Sequence, residues 1–263
     1  MTADVRGRKE ELPESFEIAV TTRDVSPVAE EYARAKIGKL ARRIRRPVLH
    51  ARVRVTSHRD PAVEEPVTAQ ANLDIDGRLV RVQDHGASAH EAIDRLEARL
   101  RRRLERLTKH QETHATWKHD SEPAHPARFN PRPAHERHIV RRKSFAMQPC
   151  TVDEAITEME LLDYDFHLFT ESGTKSACVL YRGGPSGYRL ALLSPALIGQ
   201  LSPFDGPVVI SPQPAPCLTE ADAADRLNLL DMPFLFYVDA AQGRASVLYH
   251  RYDGHYGVIT PAN

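Results

Sequence analysis

The chain contains 263 residues, 41% of which are hydrophobic, and its formal net charge is zero. It holds no run of eighteen apolar residues and no apolar segment near its N-terminus, so we expect a cytoplasmic protein without membrane contact or a signal peptide. The three cysteines, Cys150, Cys178 and Cys217, are widely spaced. This spacing is typical of neither a disulfide framework nor a thiolate metal site, and no metal or other cofactor is predicted.

The neutral total hides an uneven distribution of charge. Residues 1–110 contain 23 Lys or Arg and 18 Asp or Glu, whereas residues 111–263 contain 13 and 18. Between Tyr32 and Arg59 there are ten basic residues and no acidic one. Such a stretch within sequence of globular character indicates a polyanionic partner, and the alternative is an ordinary solvated helix face.

Residues 1–15 are expected to form a flexible N-terminus, and residues 16–110 a β-α-β-β-β-α domain. Apolar residues recur with the period of a strand in four segments, which are residues 16–20, 49–55, 67–75 and 79–83. Asp76-Gly77 predicts a two-residue hairpin turn between the last two strands. The element order predicts an antiparallel-rich sheet with both helices on one face.

Two amphipathic helices complete this domain. Ser26 is a suitable N-cap for the first helix, with Pro27 as its first residue, and the capping box Ser88-x-x-Glu91 opens the second. Their apolar stripes are Ala33, Ile37, Leu40 and Ile44 in the first helix, and Ile93, Leu96, Leu100, Leu104 and Leu107 in the second.

Basic residues lie on or beside the opposite faces of both helices. They are Lys36, Lys39, Arg42, Arg43 and Arg46 in the first helix, and Arg95, Arg99, Arg102 and Arg106 in the second. Arginine donates paired hydrogen bonds to phosphate, so these nine residues form the predicted RNA-binding surface.

Residues 111–137 are predicted to be a linker, because they contain four prolines, several histidines and almost no aliphatic residues. Trp117, the only tryptophan, either anchors this linker or stacks on a base. The irregular spacing of the nearby histidines argues against a metal site. These histidines are His114, His119, His125, His135 and His138.

The remainder of the chain repeats itself with a shift of 68 residues, so that Phe166, for example, coincides with Phe234. The register holds without a gap over roughly forty residues, which indicates tandem duplication of one module. We assign copy 1 to residues 138–200 and copy 2 to residues 201–263.

Each copy is predicted to have the order β-α-β-β-β, with its helix capped by Thr151 or Thr219. A unit of this length buries too little surface to be stable alone, so the copies are expected to pair as an internal pseudo-dimer. The residues expected at this interface are Phe166, Val179, Tyr181, Phe234, Val247 and Tyr249. The predicted fold class is therefore α+β, with an N-terminal β-α-β-β-β-α domain, a Pro/His-rich linker and two tandem modules.

No motif predicts catalysis. The chain has no Gly-rich phosphate loop, and no histidine spacing defines a nucleophile or a metal pair. Cys178 is flanked by Ala177 and Val179 on a predicted strand, which indicates a core position. Three alternatives stay open at this point: a general binder of structured RNA, an enzyme such as a His-dependent nuclease, and a protein-interaction platform built from the duplicated module.

Several short motifs point to one family. They are RDVS at residues 23–26, AIDRLE at 92–97, R-x-K-x-F at 141–145, MELL at 159–162 and DGHYGVITP at 253–261. Together with the element order they resemble the long-form ribosome hibernation promoting factors, which include the ribosome-associated inhibitors. The resemblance covers nearly all of residues 16–263.

This resemblance implies a ribosome-binding protein without enzymatic activity. The N-terminal domain would lodge between the head and body of the small subunit, cover the decoding centre and block the paths of mRNA and tRNA. The nine basic residues of the two helices match the family's rRNA-facing surface.

The duplicated module departs from the usual family pattern. Family members usually carry one C-terminal module, and the modules of two molecules pair to join two ribosomes. Because this chain carries both copies, we expect a monomer that holds single ribosomes idle, and whose paired modules also touch other parts of the same ribosome. The layout is similar to that of the mycobacterial ribosome-associated factors under hypoxia, which implies service in dormancy or oxygen starvation.

Overall fold

A computed structural model describes residues 18–44, 47–58, 65–112, 132–183, 187–251 and 253–262. In the helix that ends at residue 112, side chains are described as far as Glu105. The predictions for residues 1–15, Arg46, Trp117, the Arg106 side chain and most of the linker therefore lie outside the described residues. The N-terminal elements form one compact unit, and most of the remaining elements form a second.

The N-terminal unit is a four-stranded sheet with two helices packed on one of its faces. Its elements are β1 (Ile18–Arg23), α1 (Val28–Ala41), β2 (Val48–Ser57), β3 (Val67–Ile75), β4 (Arg78–Gly86) and α2 (Ala89–Glu112). The strand order is β1-β2-β3-β4, in which β1 runs parallel to β2 and the other neighbours are antiparallel. The predicted β-α-β-β-β-α order and antiparallel-rich sheet are confirmed.

One apolar core lies between this sheet and its helices. The alternate strand residues Val53, Ala71 and Val82 have no exposed surface, and neither have Ile37 of α1 and Leu96 of α2. Because strand side chains alternate between faces, the positions between these buried residues lie on the opposite, polar face of the sheet.

Local side-chain chemistry explains why the elements begin and end where they do. Asp76 and Gly77 have φ values of 55° and 78°, which suits the two-residue turn between β3 and β4. At the start of α2, the Glu91 backbone N–H donates to Ser88 Oγ at 3.2 Å. Both features agree with the predicted turn and capping box.

The predicted inward orientation of Leu49 is wrong. Its side chain is 59% exposed, whereas Val48 is buried. The pairing of β2 with β3 shifts between Val48 and His50. A bulge of this kind adds one residue to the strand and reverses the alternation beyond it, so that Val48 rather than Leu49 faces the helices.

The described part of the C-terminal unit contains two sheets, two α-helices and two short 3-10 helices at Ala134–Glu136 and Pro195–Gln200. Copy 1 contributes β5 (Ile139–Phe145), α3 (Val152–Leu162), β6 (Phe166–Thr170), β7 (Ala177–Arg182) and β8 (Tyr188–Leu192). Copy 2 contributes β9 (Val208–Ile210), β10 (Cys217–Leu218), α4 (Glu220–Leu229), β11 (Phe234–Asp239), β12 (Arg244–His250) and β13 (Tyr256–Pro261). The predicted β-α-β-β-β order is present in both copies, and copy 2 has β10 in addition.

The two copies exchange their first strands. β5 of copy 1 pairs in parallel with β13 of copy 2, and β9 of copy 2 pairs in parallel with β8 of copy 1. The sheet orders are therefore β10-β11-β12-β13-β5 and β6-β7-β8-β9. The exchange follows the 68-residue repeat. Arg141 and Val209 are equivalent positions, as are Arg189 and Gly257, and Arg141 pairs with Gly257 just as Val209 pairs with Arg189. Each sheet thus contains strands of both copies, which gives the internal pseudo-dimer.

Candidate nucleic-acid interface

The basic residues of α1 lie on its outer face, opposite the buried Ala33 and Ile37. Lys39 within the helix, and Arg42 and Arg43 directly after its last residue, are exposed. Within the described part of the chain, no carboxylate pairs with any of these three side chains. A cation without a protein partner keeps its full hydrogen-bonding capacity for phosphate.

Lys36 differs from these residues, because a carboxylate already balances its charge. Its Nζ lies 2.9 Å from Asp94 Oδ1, and the Tyr32 hydroxyl donates to the same oxygen at 2.6 Å. Hydrogen bonds from Tyr32 and Lys36 hold the pKa of the Asp94 carboxyl below its ordinary value. The bond to Asp94 raises the pKa of the Lys36 ammonium. This cluster joins α1 to α2 and makes Lys36 a weaker candidate for phosphate contact.

The predicted basic stripe of α2 is also partly neutralised. Arg95 donates to the carboxylates of Glu65 at 2.6 Å and Glu91 at 2.5 Å. Arg99 lies 3.9 Å from the Asp84 carboxylate. Charge already matched within the protein contributes less to a field that attracts RNA.

The nine predicted residues therefore fall into three groups. The exposed members without an ion pair to a described residue are Lys39, Arg42, Arg43 and Arg102. The members with a carboxylate partner are Lys36, Arg95 and Arg99. The members outside the described side chains are Arg46 and Arg106.

Five of the six residues predicted to pair the modules lie in one apolar layer between the two sheets, and the sixth, Tyr249, reaches this layer through its contact with the Phe166 ring. The Phe166 ring stacks on the Phe234 ring with a centroid distance of 4.6 Å. The centroid of the Tyr249 ring lies 5.8 Å from that of Phe166, and the centroid of the Tyr181 ring lies 5.4 Å from that of Phe234. Equivalent residues of the two copies thus meet across the layer, as in a twofold interface. Its buried centre consists of Leu168, Val179, Phe236 and Val247.

Polar contacts also hold β5 against copy 2. Arg142 makes two hydrogen bonds to the Glu220 carboxylate at the N-terminus of α4. Arg137, which precedes β5, donates to Asn228 Oδ1 at 2.7 Å. The hydrogen bond from Arg142 holds the pKa of the Glu220 carboxyl below its ordinary value. The exchanged strand is therefore fixed by charge as well as by backbone pairing.

The described side chains show little that suits nucleophilic chemistry. Cys178 has no exposed surface, as its predicted core position requires, and burial raises the pKa of its thiol to about 12. Burial likewise raises the pKa of the Cys150 thiol to about 11. Both thiols are therefore protonated near neutral pH.

Two kinds of feature are absent from the described residues. They contain no group of three or more His, Cys, Asp or Glu side chains placed to hold a metal ion. None of the helices they form has the length and apolar character needed to cross a membrane.

One basic surface was not predicted from the sequence. Arg52 and Arg54 are exposed on the face of the N-terminal sheet opposite the helices. Their alternation with buried Ala51, Val53 and Val55 was visible as a half-buried strand. The prediction assigned RNA binding to the helices alone.

Comparisons with known proteins agree on one family. A family model described as "Sigma 54 modulation protein / S30EA ribosomal protein" matches residues 18–112. The model described as "Sigma 54 modulation/S30EA ribosomal protein C terminus" matches residues 134–190 and 212–258, one segment in each predicted copy.

Similar proteins carry related names. A "Dormancy associated translation inhibitor" of Mycobacterium tuberculosis is 38% identical over 220 residues, covering 80% of this chain and 76% of the relative. A "Ribosome hibernation promotion factor" of Picosynechococcus sp. is 24% identical over 172 residues, covering 62% and 89%. Another of that name from M. tuberculosis is 34% identical over 125 residues, covering 41% and 57%.

These relatives are named as translation inhibitors and hibernation factors, in agreement with the prediction that the chain is not an enzyme. The matches extend over most of the chain and include a relative that is 38% identical. The chain therefore belongs to the Sigma 54 modulation/S30EA ribosomal protein family, as a long-form ribosome hibernation factor.

Proposed function

We propose that this protein binds the small ribosomal subunit near the decoding centre, blocks the mRNA and tRNA sites and keeps single ribosomes idle in the cytoplasm. The observation that carries the proposal is the outer face of α1, where Lys39, Arg42 and Arg43 are exposed and have no carboxylate partner among the described residues. Family membership indicates the ribosome as the partner, and the positive charge of this face suits the negatively charged rRNA.

The mechanism is occlusion supported by phosphate neutralisation. Lysine and arginine contacts to phosphate position a protein on RNA without reading its sequence. The apolar core behind α1 keeps the charged face on a rigid support, so a bound domain excludes mRNA by its volume. No bond is made or broken, and release requires only dissociation, which salt promotes.

The C-terminal unit determines the number of ribosomes involved. Phe166 and Phe234 already face each other within one chain, and β5 and β9 already occupy the sheet edges of the opposite copies. A second molecule would have to displace these contacts before it could pair. We therefore propose a monomer that quiets single ribosomes, with the paired modules free to contact the same ribosome at high effective concentration.

Competition with mRNA tests the proposed site. Labelled mRNA is bound to purified small subunits, and the protein is added in increasing amounts. Displacement by the wild-type protein, and about tenfold weaker displacement by the K39Q/R42Q variant, is the expected result. The matched control is R141Q/R226Q, which removes two exposed arginines from the C-terminal unit.

Two other outcomes would contradict the proposal. Binding to small subunits without displacement of mRNA would place the protein away from the decoding centre. Equal affinity for small subunits and for a free RNA duplex would indicate a general binder of structured RNA.

A further inference from the structure

The open face of the N-terminal sheet carries a second concentration of positive charge. Strand pairing fixes its layout, because residues paired between neighbouring strands lie side by side on one face. Across the sheet, Arg52 pairs with Asn72, which pairs with Arg81. In the next row on this face, Arg54 pairs with Gln70. On the neighbouring strand β1, Thr21 pairs with Arg54. Arg23 follows Thr21 by two residues and therefore lies on the same face.

Distances within this face follow from sheet geometry. Arg52 and Arg54 are two residues apart on one strand, so their Cα atoms lie about 6.7 Å apart. Arg81 is two strands away from Arg52, which corresponds to roughly 10 Å. The arginines are therefore close enough to act on a single strand of phosphates.

The sign of the charge distinguishes this face from an ordinary solvated sheet. Any antiparallel sheet with one open face is polar there, but this one has four arginines and, among its described residues, one carboxylate. The carboxylate is Asp74, which pairs with His50 at the end of the face away from Arg23. Arg52 and Arg54 are exposed, and neither is ion-paired with a described residue.

Side-chain amides add directed hydrogen-bonding groups between the arginines. Gln70 Nε2 donates to Asn72 Oδ1 at 3.1 Å, and Arg81 donates to Gln70 Oε1 at 3.4 Å. Gln83 lies in the same row as Gln70. These contacts hold the amides in a connected layer beside the arginines.

We propose that this sheet face is a second RNA-binding surface, distinct from the helix face and directed to the opposite side of the domain. Charge complementarity identifies the occupant as RNA, because arginine and amide groups suit phosphate and base edges. The inference rests on the proposed function, since the RNA in question is that of the ribosome. With both faces in use, the domain binds between two RNA segments.

The salt dependence of ribosome binding tests this second surface. Dissociation constants for purified single ribosomes are measured at several salt concentrations for the wild type and for three variants of equal charge. The variants are R52Q/R54Q on the sheet face, K39Q/R42Q on the helix face and R141Q/R226Q in the C-terminal unit as the control. Circular dichroism verifies that each variant is folded.

We expect R52Q/R54Q to weaken binding about tenfold and to reduce the slope of log K against log salt by up to about 2, as loss of two phosphate contacts requires. The control removes two charges outside both faces, so its effect gives the baseline, and the changes caused by R52Q/R54Q should exceed that baseline. Combining the two N-terminal double variants should multiply their separate effects, because well-separated sites act independently.

The alternative outcomes separate this inference from the proposed function. Weakened binding by K39Q/R42Q together with unchanged binding by R52Q/R54Q would refute RNA binding by the sheet face and leave RNA binding by the helix face in place. Weaker binding by R52Q/R54Q at an unchanged salt slope would indicate a protein partner and would also refute it. Failure of the wild type to bind ribosomes would overturn the proposed function itself.

Discussion

Among the basic residues of the N-terminal unit, ion pairs decide which side chains are free to reach phosphate. Lys36 and Lys39 are neighbours on α1, yet Lys36 is 2.9 Å from Asp94, whereas Lys39 has no such partner among the described residues. The helical periodicity predicted both lysines on the polar side. It could not predict the pairing, because Asp94 belongs to a different helix and is 58 positions further along the chain.

Removal of the Asp94 carboxylate should therefore strengthen ribosome binding. In the Asp94→Asn variant, Lys36 loses its balancing charge and becomes available to phosphate. We expect a higher affinity for purified ribosomes and a salt slope that is steeper by about 0.9. Asp225→Asn, an exposed position in the C-terminal unit, is the matched control. Unchanged or weaker binding by Asp94→Asn would show that Lys36 does not face RNA.

A second prediction at the residue scale concerns the buried carboxylate of Glu171. It has no exposed surface and accepts backbone N–H groups from Gly173, Thr174 at 2.7 Å and Ser202 at 3.0 Å. Burial alone would raise the pKa of this carboxyl, but the N–H donors together hold the pKa below its ordinary value. The stabilisation is complete above the unfolded-state pKa of about 4.3 and is lost as pH falls through the lower folded-state pKa.

Glu171→Gln should destabilise the protein by about 1–3 kcal/mol at pH 7, because the amide places a donor against N–H donors. Urea unfolding followed by circular dichroism measures the loss. The difference from the wild type should shrink as the pH is lowered below 4. A difference that stays constant down to pH 3 would show that the ionised carboxylate is not the source of the stability. Asp225→Asn again provides an exposed control.

At the scale of elements, the sequence predicted the strands of the C-terminal unit but not the exchange of β5 and β9. Period-two patterns and turn residues are local, so they identify strands and hairpins such as β7–β8. The choice of a distant partner depends on which sheet edge is free. β8 and β13 are equivalent under the 68-residue repeat and present similar edges, so local sequence does not distinguish them.

The exchange predicts that the C-terminal unit stays together when the chain is cut within copy 2, between β9 and β10. Pro212, Gln213 and Pro214 are exposed between β9 and β10, which makes this loop suitable for an inserted protease site. After cleavage, β5 should still pair with β13, and Phe166 should still stack on Phe234. We expect both fragments to co-elute in gel filtration without denaturant. Separate elution at micromolar concentration would contradict the exchanged arrangement.

At the scale of the whole molecule, the two units have different proposed roles. The N-terminal unit presents the basic faces, and the C-terminal unit presents contacts that are satisfied within one chain. The sequence predicted this division from the charge asymmetry and the repeat, because both are properties of composition and order. The basic face of the N-terminal sheet went unrecognised, since its arginines are brought together only by the pairing of strands far apart in sequence.

Ribosome binding and internal pairing of the modules are tested most directly by a sucrose gradient of purified single ribosomes mixed with this protein, in which each fraction is blotted. We predict that the protein sediments with single ribosomes and that no heavier ribosome peak forms, because the module surfaces are already paired within the chain. A ribosome-dimer peak would contradict internal pairing. Protein left at the top of the gradient at both low and moderate salt would contradict ribosome binding.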